Sequence, residues 1–514
     1  MRTLTREFCL LESHMTYTLI TNGRVLDTET STASAADILI NQGRIETVGP
    51  PGIAAPRDAT VIDAAERLVI PGLINSHTHG HGSLYKGGGD RWTLELLLNA
   101  GPWLAGERTL EHKYLAASLA AAEMLSKGCT AVYDLYVEIP APTLEGMRAV
   151  GQAYHDAGIR AVVAPMIADR TFFQAIPDLV DALPETLREH VQKIKMTPAA
   201  STFDICRRLL DNWTFDRRRI TPALGPTIPL HCSDDFLTTA HNLALEYDVG
   251  LHMHLAESKI QALSGVRHYG KSLTAHLDSL GFLGPHFTAA HAIWLDHDDI
   301  ARLADHGASI AHNPGSNMRL GSGIAPVREM LDAGLNVGIG TDGAHCADNQ
   351  NMFEAMRLAS FASRLRSHDY DNWLTTGEVA ALATTGSARA LGMGDKIGKV
   401  APGFEADLVL LDLNHLNWLP MNDPVNQLVH TEDATAVHTV IVGGDVVVRD
   451  GQLLSIDVAK LKSDAQEAIT FLGEQNRETR ALAEQLERHV GKFCSGLARS
   501  PHHVHAMAES NLPR

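Results

Sequence analysis

The sequence predicts an α/β protein: a (β/α)8 TIM barrel, a small β-sandwich formed from both flanking segments, and a C-terminal helical extension. Three observations predict it. Between residues 71 and 398, short apolar runs alternate with longer amphipathic stretches, the pattern of parallel strands joined by crossover helices. On either side the texture changes to short alternating runs cut by turn residues, the mark of antiparallel β-structure. Histidines and an aspartate stand at the ends of several candidate strands, the rim on which barrel enzymes build their sites.

In chain order, residues 1–14 read poorly as structure and are set aside as a tail or cloning remnant, with Met15 as an alternative start. Residues 15–70 follow, with TLITNGRVLD and ADILINQGRIETVG, in which Asn22-Gly23 and Gln42-Gly43 are expected to make hairpin turns. The matching segment, 399–456, holds ADLVLLDL and HTVIVGGDVVVRDGQ, turning at Gly443-Gly444. Two pieces of one kind from opposite ends suggest a single composite sandwich. For the barrel, assigned to 71–398, strands are expected at 68–76, 130–135, 161–167, 220–225, 250–256, 287–295, 308–312 and 336–341, with helices such as 110–127 and 144–156 between them. An open doubly wound sheet is the competing architecture, but no glycine-rich dinucleotide fingerprint follows the first strand. Residues 457–514 form the extension: one long polar helix, then a tail with His502, His503 and His505 that is expected to be solvated.

Composition narrows the function. Of 514 residues 45% are hydrophobic and 20% charged, a globular rather than a disordered profile. The net charge of −18 repels phosphate and argues against nucleic acid or anionic membrane as a partner. No run approaches the roughly 20 apolar residues of a membrane span. Six cysteines without a CxxC pair suit a reducing compartment, so a cytoplasmic enzyme with a small-molecule substrate is expected. The C-terminal helix offers a subunit contact, and a homo-oligomer is expected.

The first strand finishes in VIPGLINSHTHG, which puts His77 and His79 on one face. The fifth ends GLHMHLAE, offering His252, His254 and Glu257; the sixth ends near His291; the seventh gives His312 in HNPGSN; the eighth closes GTDG with Asp342. Imidazoles and a carboxylate delivered by five strands to one rim are the ligand set of a divalent first-row ion, with Zn the leading choice and Fe or Mn also compatible. Hydrolysis at an sp² carbon then needs a second group to protonate a ring nitrogen or a departing amine, and Glu257, three residues past His254, is placed for it. Asp342 suits holding the proton of the attacking water. His252 lies one layer deeper than His254 and reads better as a core histidine; His81 and His345 sit on rim loops as surface or functional residues. Cys346 reads as a packing residue, since a metal would already supply the nucleophile.

PGLINSHTH, HxHxxE, His291, HNPGSN and GTDG, in this order, resemble the amidohydrolase superfamily, in particular its branch of cytosine, guanine and S-adenosylhomocysteine deaminases and s-triazine hydrolases. The GxxxPGxxADLVLLD segment at 398–412 adds to the resemblance. It implies that His77, His79, His254 and Asp342 hold one metal ion per chain, that Glu257 shuttles protons, and that His291 steadies or polarises water or substrate. Binuclear relatives bridge two ions with a carboxylated lysine on the fourth strand. ITPALGPTIPL has none, and Lys193 and Lys195 lie upstream, so a mononuclear site is expected.

The expected reaction is hydrolysis of a non-peptide C–N bond of a small planar nitrogen compound, an aminohydrolase activity. Cleavage of an exocyclic amide, urea or carbamate linkage is the alternative; more remote are s-triazine chlorohydrolysis and an inactive barrel retained for binding. Candidate substrate contacts are Lys86, Trp92 and Trp103 in the loop after strand one, with His312, Asn317 and His345 from the later rim. Lys86 stands where relatives often have arginine, which weakens the case for a carboxylate or phosphate substrate. Gly87–Gly89 read equally as a mobile lid or a plain turn.

Overall fold

In the computed structural model, which describes residues 17–28, 30 and 32–507, the barrel strands form two parallel arcs. The first contains Leu73–Thr78, Cys129–Tyr136, Arg160–Ile167 and a broken fourth strand, Ile220–Pro222 with Gly225–Pro226. The second contains Leu251–Leu255, Phe287–His291, Ser309–His312 and Asn336–Ile339. A parallel bridge between Leu224 and Leu251 joins the arcs on one side. On the other, Asp342 N–H donates to His77 O (2.9 Å), the Asn75 amide donates to Thr341 Oγ1 (2.7 Å), and Asn75 Oδ1 accepts the Thr341 N–H (3.0 Å). The result is a TIM-barrel-like α/β fold. Its strands are covered on both faces, every residue of Cys129–Tyr136 being buried, which is why they read as continuous apolar runs rather than alternating ones.

Crossover helices begin and end where local chemistry dictates. Leu144–Ala157 starts after Thr143, whose hydroxyl accepts the Gly146 N–H (3.0 Å), and stops at Gly158, left-handed at φ +81°. Leu110–Ser126 starts after Thr109 in the same way. Both fall within a residue of the expected bounds.

Strands from the two flanks join one nine-stranded sheet in the order Gln452–Leu453, Asp445–Arg449, Val437–Val442, Leu408–Asp412, Arg67–Pro71, Tyr17–Asp27, Thr32–Asn41, Arg44–Gly49, with Thr60–Asp63 added beside Tyr17–Asp27. Ile20, Ile38, Leu408 and Ile441 are among its core residues. Arg160, on the third barrel strand, ties it to the barrel by a buried two-pronged pair with Asp407, 3.0 Å on each prong. Gln42-Gly43 and Gly443-Gly444 make the expected two-residue turns, all four at positive φ. Asn22-Gly23 does not: Asn22 (φ +63°) is a bulge inside Tyr17–Asp27, where the pairing with Thr32–Asn41 shifts register.

Other expectations need correction. The strand expected at 68–76 is two, broken at Gly72, where a Cβ would lie 2.0 Å from Thr130 Oγ1; its first half belongs to the flanking sheet. The sixth strand stops at His291 because His291 (φ +70°) and Ala292 (φ +49°) are left-handed, and the eighth at Ile339, ahead of Asp342 (φ +64°). The long C-terminal helix is two, Val458–Gln475 and Arg477–Leu497, parted at buried Asn476, whose amide donates to Gly106 O (3.1 Å). The tail is docked up to residue 507: His503 pairs with Asp296 (2.9 Å) and Ala506 O accepts the Ile324 N–H (2.6 Å). The 1–14 tail lies outside the described residues. Among those described, no helix is long and apolar enough to cross a membrane.

Candidate metal centre

Four histidines and two carboxylates from the barrel rim meet at one point. His77 and His79 leave the first strand, His254 the fifth, His291 the sixth, and Asp342 and Glu257 follow the eighth and fifth; each is at most 7% exposed. Ala256, His291, Ala292 and Asp342 are all left-handed, a conformation non-glycine residues adopt at a cost of about 1–3 kcal/mol each and one that clusters at functional sites. The turns they make aim these side chains across the barrel mouth instead of along it.

Each ring is oriented from behind. His79 Nδ1 donates to Leu135 O and His254 Nδ1 to Thr227 O, both at 2.7 Å. His291 Nδ1 donates to Asn317 Oδ1 (2.8 Å), and His77 Nδ1 faces His252 Nε2 at 3.1 Å. With Nδ1 carrying the proton, each Nε2 presents a lone pair to the centre. The Nε2 atoms of His79 and His254 are 3.1 Å apart, and Asp342 Oδ1 lies 3.3 Å from His79 Nε2 and 3.6 Å from His77 Nε2. Buried lone pairs this close repel unless a cation lies between them. Donors about 2.0–2.1 Å from a tetrahedral ion stand roughly 3.3 Å apart, so the spacing fits a metal. His77 Nε2 is moreover buried without a hydrogen-bond partner. His77, His79 and His254, and again His77, His291 and Asp342, form groups able to hold an ion.

The electrostatics agree. Burial pushes the His77 imidazole down to about 3 and that of His254 well below its ordinary value, so both stay neutral ligands at neutral pH. Burial would raise Asp342, but contact with His77 and the surrounding imidazoles of His79, His77 and His291 outweigh it and hold this carboxyl well below the usual range. Glu257 goes the other way: burial first, then the charges of Asp342 and Glu95, push it well above the usual range. Its Oε2 lies 3.6 Å from His291 Nε2 and has no hydrogen-bond partner. Two carboxyl groups with pKa values driven apart are the arrangement for separate acid and base roles.

The expected substrate contacts fare less well. Lys86 is ion-paired with Glu123 and is not among the residues lining the cavity. Trp103 is buried in an apolar cluster with Leu97 and Leu104, under the Arg480 guanidinium at 4.9 Å from the ring centre, and half-buried Trp92 packs edge-on against it at 6.5 Å, so neither stacks over the centre. Asn317 holds His291 rather than facing a ligand. His312 is buried behind the site and lines a different pocket. His345 does line the cavity, and so does His81, which the sequence left as an undecided loop residue. Gly87–Gly89 form a fastened turn: Gly87 N–H donates to Asp348 (3.1 Å) and Arg319 holds Gly89 O. Cys346 is buried with its thiol pushed up, unsuited to act as a nucleophile.

The profile of the amidohydrolase family matches residues 68–447. The chain belongs to that family. It is 31% identical over 442 residues to a 5'-deoxyadenosine deaminase of Methanobrevibacter smithii, covering 86% of this chain and 94% of the relative. It is 33% identical over 446 residues to a 5-methylthioadenosine/S-adenosylhomocysteine deaminase of Syntrophobacter fumaroxidans, with the same coverages. Among solved structures, an adenosine deaminase from Xanthomonas campestris with bound zinc superposes with a TM-score of 0.78 at 27% identity, covering 88% of this chain and 98% of that one. A zinc complex of atrazine chlorohydrolase from Arthrobacter aurescens gives 0.77 at 27%, covering 88% and 99%. As an amidohydrolase, the chain is a metal-dependent hydrolase of carbon–nitrogen bonds other than peptide bonds.

Proposed function

We propose that this amidohydrolase deaminates an aminated purine-like heterocycle and releases ammonia. The observation that carries the reading is Glu257, a buried acid whose Oε2 has no hydrogen-bond partner among the described residues and lies 3.6 Å from His291 Nε2. The substrate chemistry of the deaminase relatives supports it.

In this reading His77, His79, His254 and Asp342 hold one divalent ion, most simply zinc. Such an ion would supply acidity to water, lowering its pKa to about 7. The chain's own residues do the rest. Glu257 keeps its proton at neutral pH and gives it to a ring nitrogen, which makes the amine-bearing carbon electrophilic. Asp342, ionised, accepts one proton of the attacking water and passes it to the departing amine, while the hydroxyl proton left on the attacked carbon returns to Glu257 as the carbonyl forms, so the balance is water in and ammonia out with both carboxyl groups restored. His291, fixed by Asn317, stands 3.6 Å from Glu257 and 3.7 Å from Asp342 and steadies the water between them. A cavity lined by Leu94, Leu97, Leu98 and Ile228 receives the flat ring.

A single centre follows from the fourth strand, where no lysine lies between Ile220 and His231 to bridge two ions. The same reading divides the chain into a composite β-sandwich (15–70 and 399–456), a barrel (71–398) and a helical extension from 457. It also places a homo-oligomer in the cytoplasm, in keeping with five free, buried cysteines among the described residues.

Metal analysis and a product screen test it. One ion per chain and ammonia from aminopurines are expected; chloride from chlorotriazines, favoured only by the atrazine chlorohydrolase likeness, or an aryl amine from ureas would redirect the assignment. Two ions per chain would overturn the mononuclear centre, and light scattering tests the oligomer.

A further inference from the structure

His79 separates two poles of the cavity. One is the Glu257–His291 pair. The other is made by His81 and His345, whose rings lie 5.2 Å apart and 5.3 and 6.1 Å from the His79 ring. Both are buried, at 6% and 7% exposure, and both line the cavity.

Their hydrogen bonding fixes what they offer. His81 Nδ1 accepts the Val137 N–H at 3.4 Å, so the ring proton sits on Nε2. His345 is held across two glycines: a Cβ on Gly82 would come within 1.9 Å of its Nδ1, and one on Gly343 within 2.5 Å of its Cε1. Its Nδ1 is buried without a partner. A proton there would be an orphan donor, costing about 1–3 kcal/mol, so Nε2 is the better place for it. Neither Nε2 has a hydrogen-bond partner among the described residues.

Arg108 adds charge behind this pole. Its charge acts on both imidazoles; its Nη2 donates to Leu104 O (2.7 Å), it lies 5.7 Å from the Tyr85 ring centre, and its Nε and Nη1 are buried without hydrogen-bond partners among the described residues. Two N–H donors with a guanidinium behind them form an environment for an acceptor oxygen carrying partial negative charge, beside the apolar wall of Leu94, Leu97, Leu98 and Leu104.

We propose that His81 and His345 bind a ring carbonyl or oxyanion of the substrate, so that the preferred substrate is an oxo-substituted aminoheterocycle rather than its oxo-free counterpart. The inference rests on the deaminase reading above. A site built to donate to a substrate oxygen discriminates strongly against the analogue that lacks it, because its donors are then left unpaired.

The test uses the full-length metal-loaded enzyme and matched pairs of aminopurines and aminopyrimidines with and without a ring carbonyl. The wild type is expected to favour the oxo member by tenfold or more in kcat/KM. His81→Phe and His345→Phe should bring that ratio toward one, mainly by raising KM for the oxo member, with metal content unchanged. His81→Gln and His345→Gln, which restore an N–H near the Nε2 position, should recover part of the preference. Gly82→Ala should lower it while leaving both imidazoles in place, and so serves if the phenylalanine variants do not fold. Equal efficiency for both members in the wild type, or a preference unchanged in both phenylalanine variants, overturns this inference alone. No ammonia from any member overturns the deaminase reading and this inference with it.

Discussion

His77 Nδ1 lies 3.1 Å from His252 Nε2, with both rings fully buried and the His252 ring edge-on to Tyr133 at 4.4 Å. For His77 Nε2 to present a lone pair to an ion, Nδ1 must carry the proton, and His252 is its acceptor. The deeper histidine therefore sets the tautomer of the ligand, as carbonyl groups do for His79 and His254. His252→Leu removes that acceptor and should weaken metal affinity about 10–100-fold. His252→Gln, which keeps an acceptor, should lose less. Competition against a graded series of chelators measures this without reference to turnover; equal affinity in the leucine variant would show that His77 needs no orienting partner.

Glu257→Gln keeps shape and hydrogen-bonding capacity but cannot give up a proton. The loss of proton transfer should cost about 10²–10⁴-fold in kcat. The acid form does the work, and burial with the charges of Asp342 and Glu95 raises its pKa, so wild-type kcat should fall as pH climbs through that raised value. The glutamine variant should lack that limb of the profile. Metal content should be unchanged and the melting temperature no lower, since the substitution removes a carboxyl that resists ionisation in its burial site. Wild-type turnover in this variant would sink the assignment.

That His77, His79 and His254 converge on one rim was legible because their spacing is local. Two histidines two apart on one strand share a face by strand geometry alone, before any tertiary structure exists; Glu257, past the strand end and behind the left-handed Ala256, is not fixed in that way. The substrate side was not legible. Lys86 ends the turn Gly80–Tyr85 and is paired with Glu123, while Trp103 lies on the helix Leu94–Ala105 under Arg480, more than 370 residues downstream, so no window of sequence around them shows where they point. The left-handed turns at His291 and Asp342 were equally invisible, because ordinary residue types hide a positive φ that only the surrounding barrel imposes. His81 is the instructive miss: its one signal was lying two residues past His79, and a 3₁₀ turn, Gly80–Tyr85, rather than a continued strand, brings it back to the cavity.

Asp299 offers a stability test remote from the centre. On the helix His297–Asp305 it is 3% exposed, and burial raises its pKa to about 6 despite the hydrogen bond from Ser272. A carboxyl with a folded pKa above its unfolded value contributes stability that is complete below about 4 and is lost as pH rises through about 6. About two pKa units correspond to roughly 3 kcal/mol at most. Asp299→Asn, which can still accept from Ser272, should melt with the wild type at pH 4 and at a higher temperature at pH 7. Parallel melting curves across that range would show that Asp299 titrates normally.

The C-terminal helix Arg477–Leu497 lies along Leu94–Ala105, the helix that supplies Leu94, Leu97, Leu98 and Leu104 to the cavity wall. Polar contacts pin the pair at two levels: Asn99 Nδ2 on Ala483 O (2.9 Å) and Asn476 Nδ2 on Gly106 O (3.1 Å). Val490, Cys494 and Leu497 continue the seam into an apolar cluster with Leu96, Phe172 and Ile260, the last on the helix that follows Glu257. The extension therefore braces the wall against which a substrate ring must pack, while touching none of the groups that would bind the ion. Replacing Asn99 and Asn476 together by alanine removes two buried hydrogen bonds that tie the helices together, at about 0.5–1.5 kcal/mol each. The double variant should melt earlier and show a raised KM with metal content intact. A fall in kcat at unchanged KM would instead mean that the helix acts on the catalytic groups, and the bracing role would be wrong.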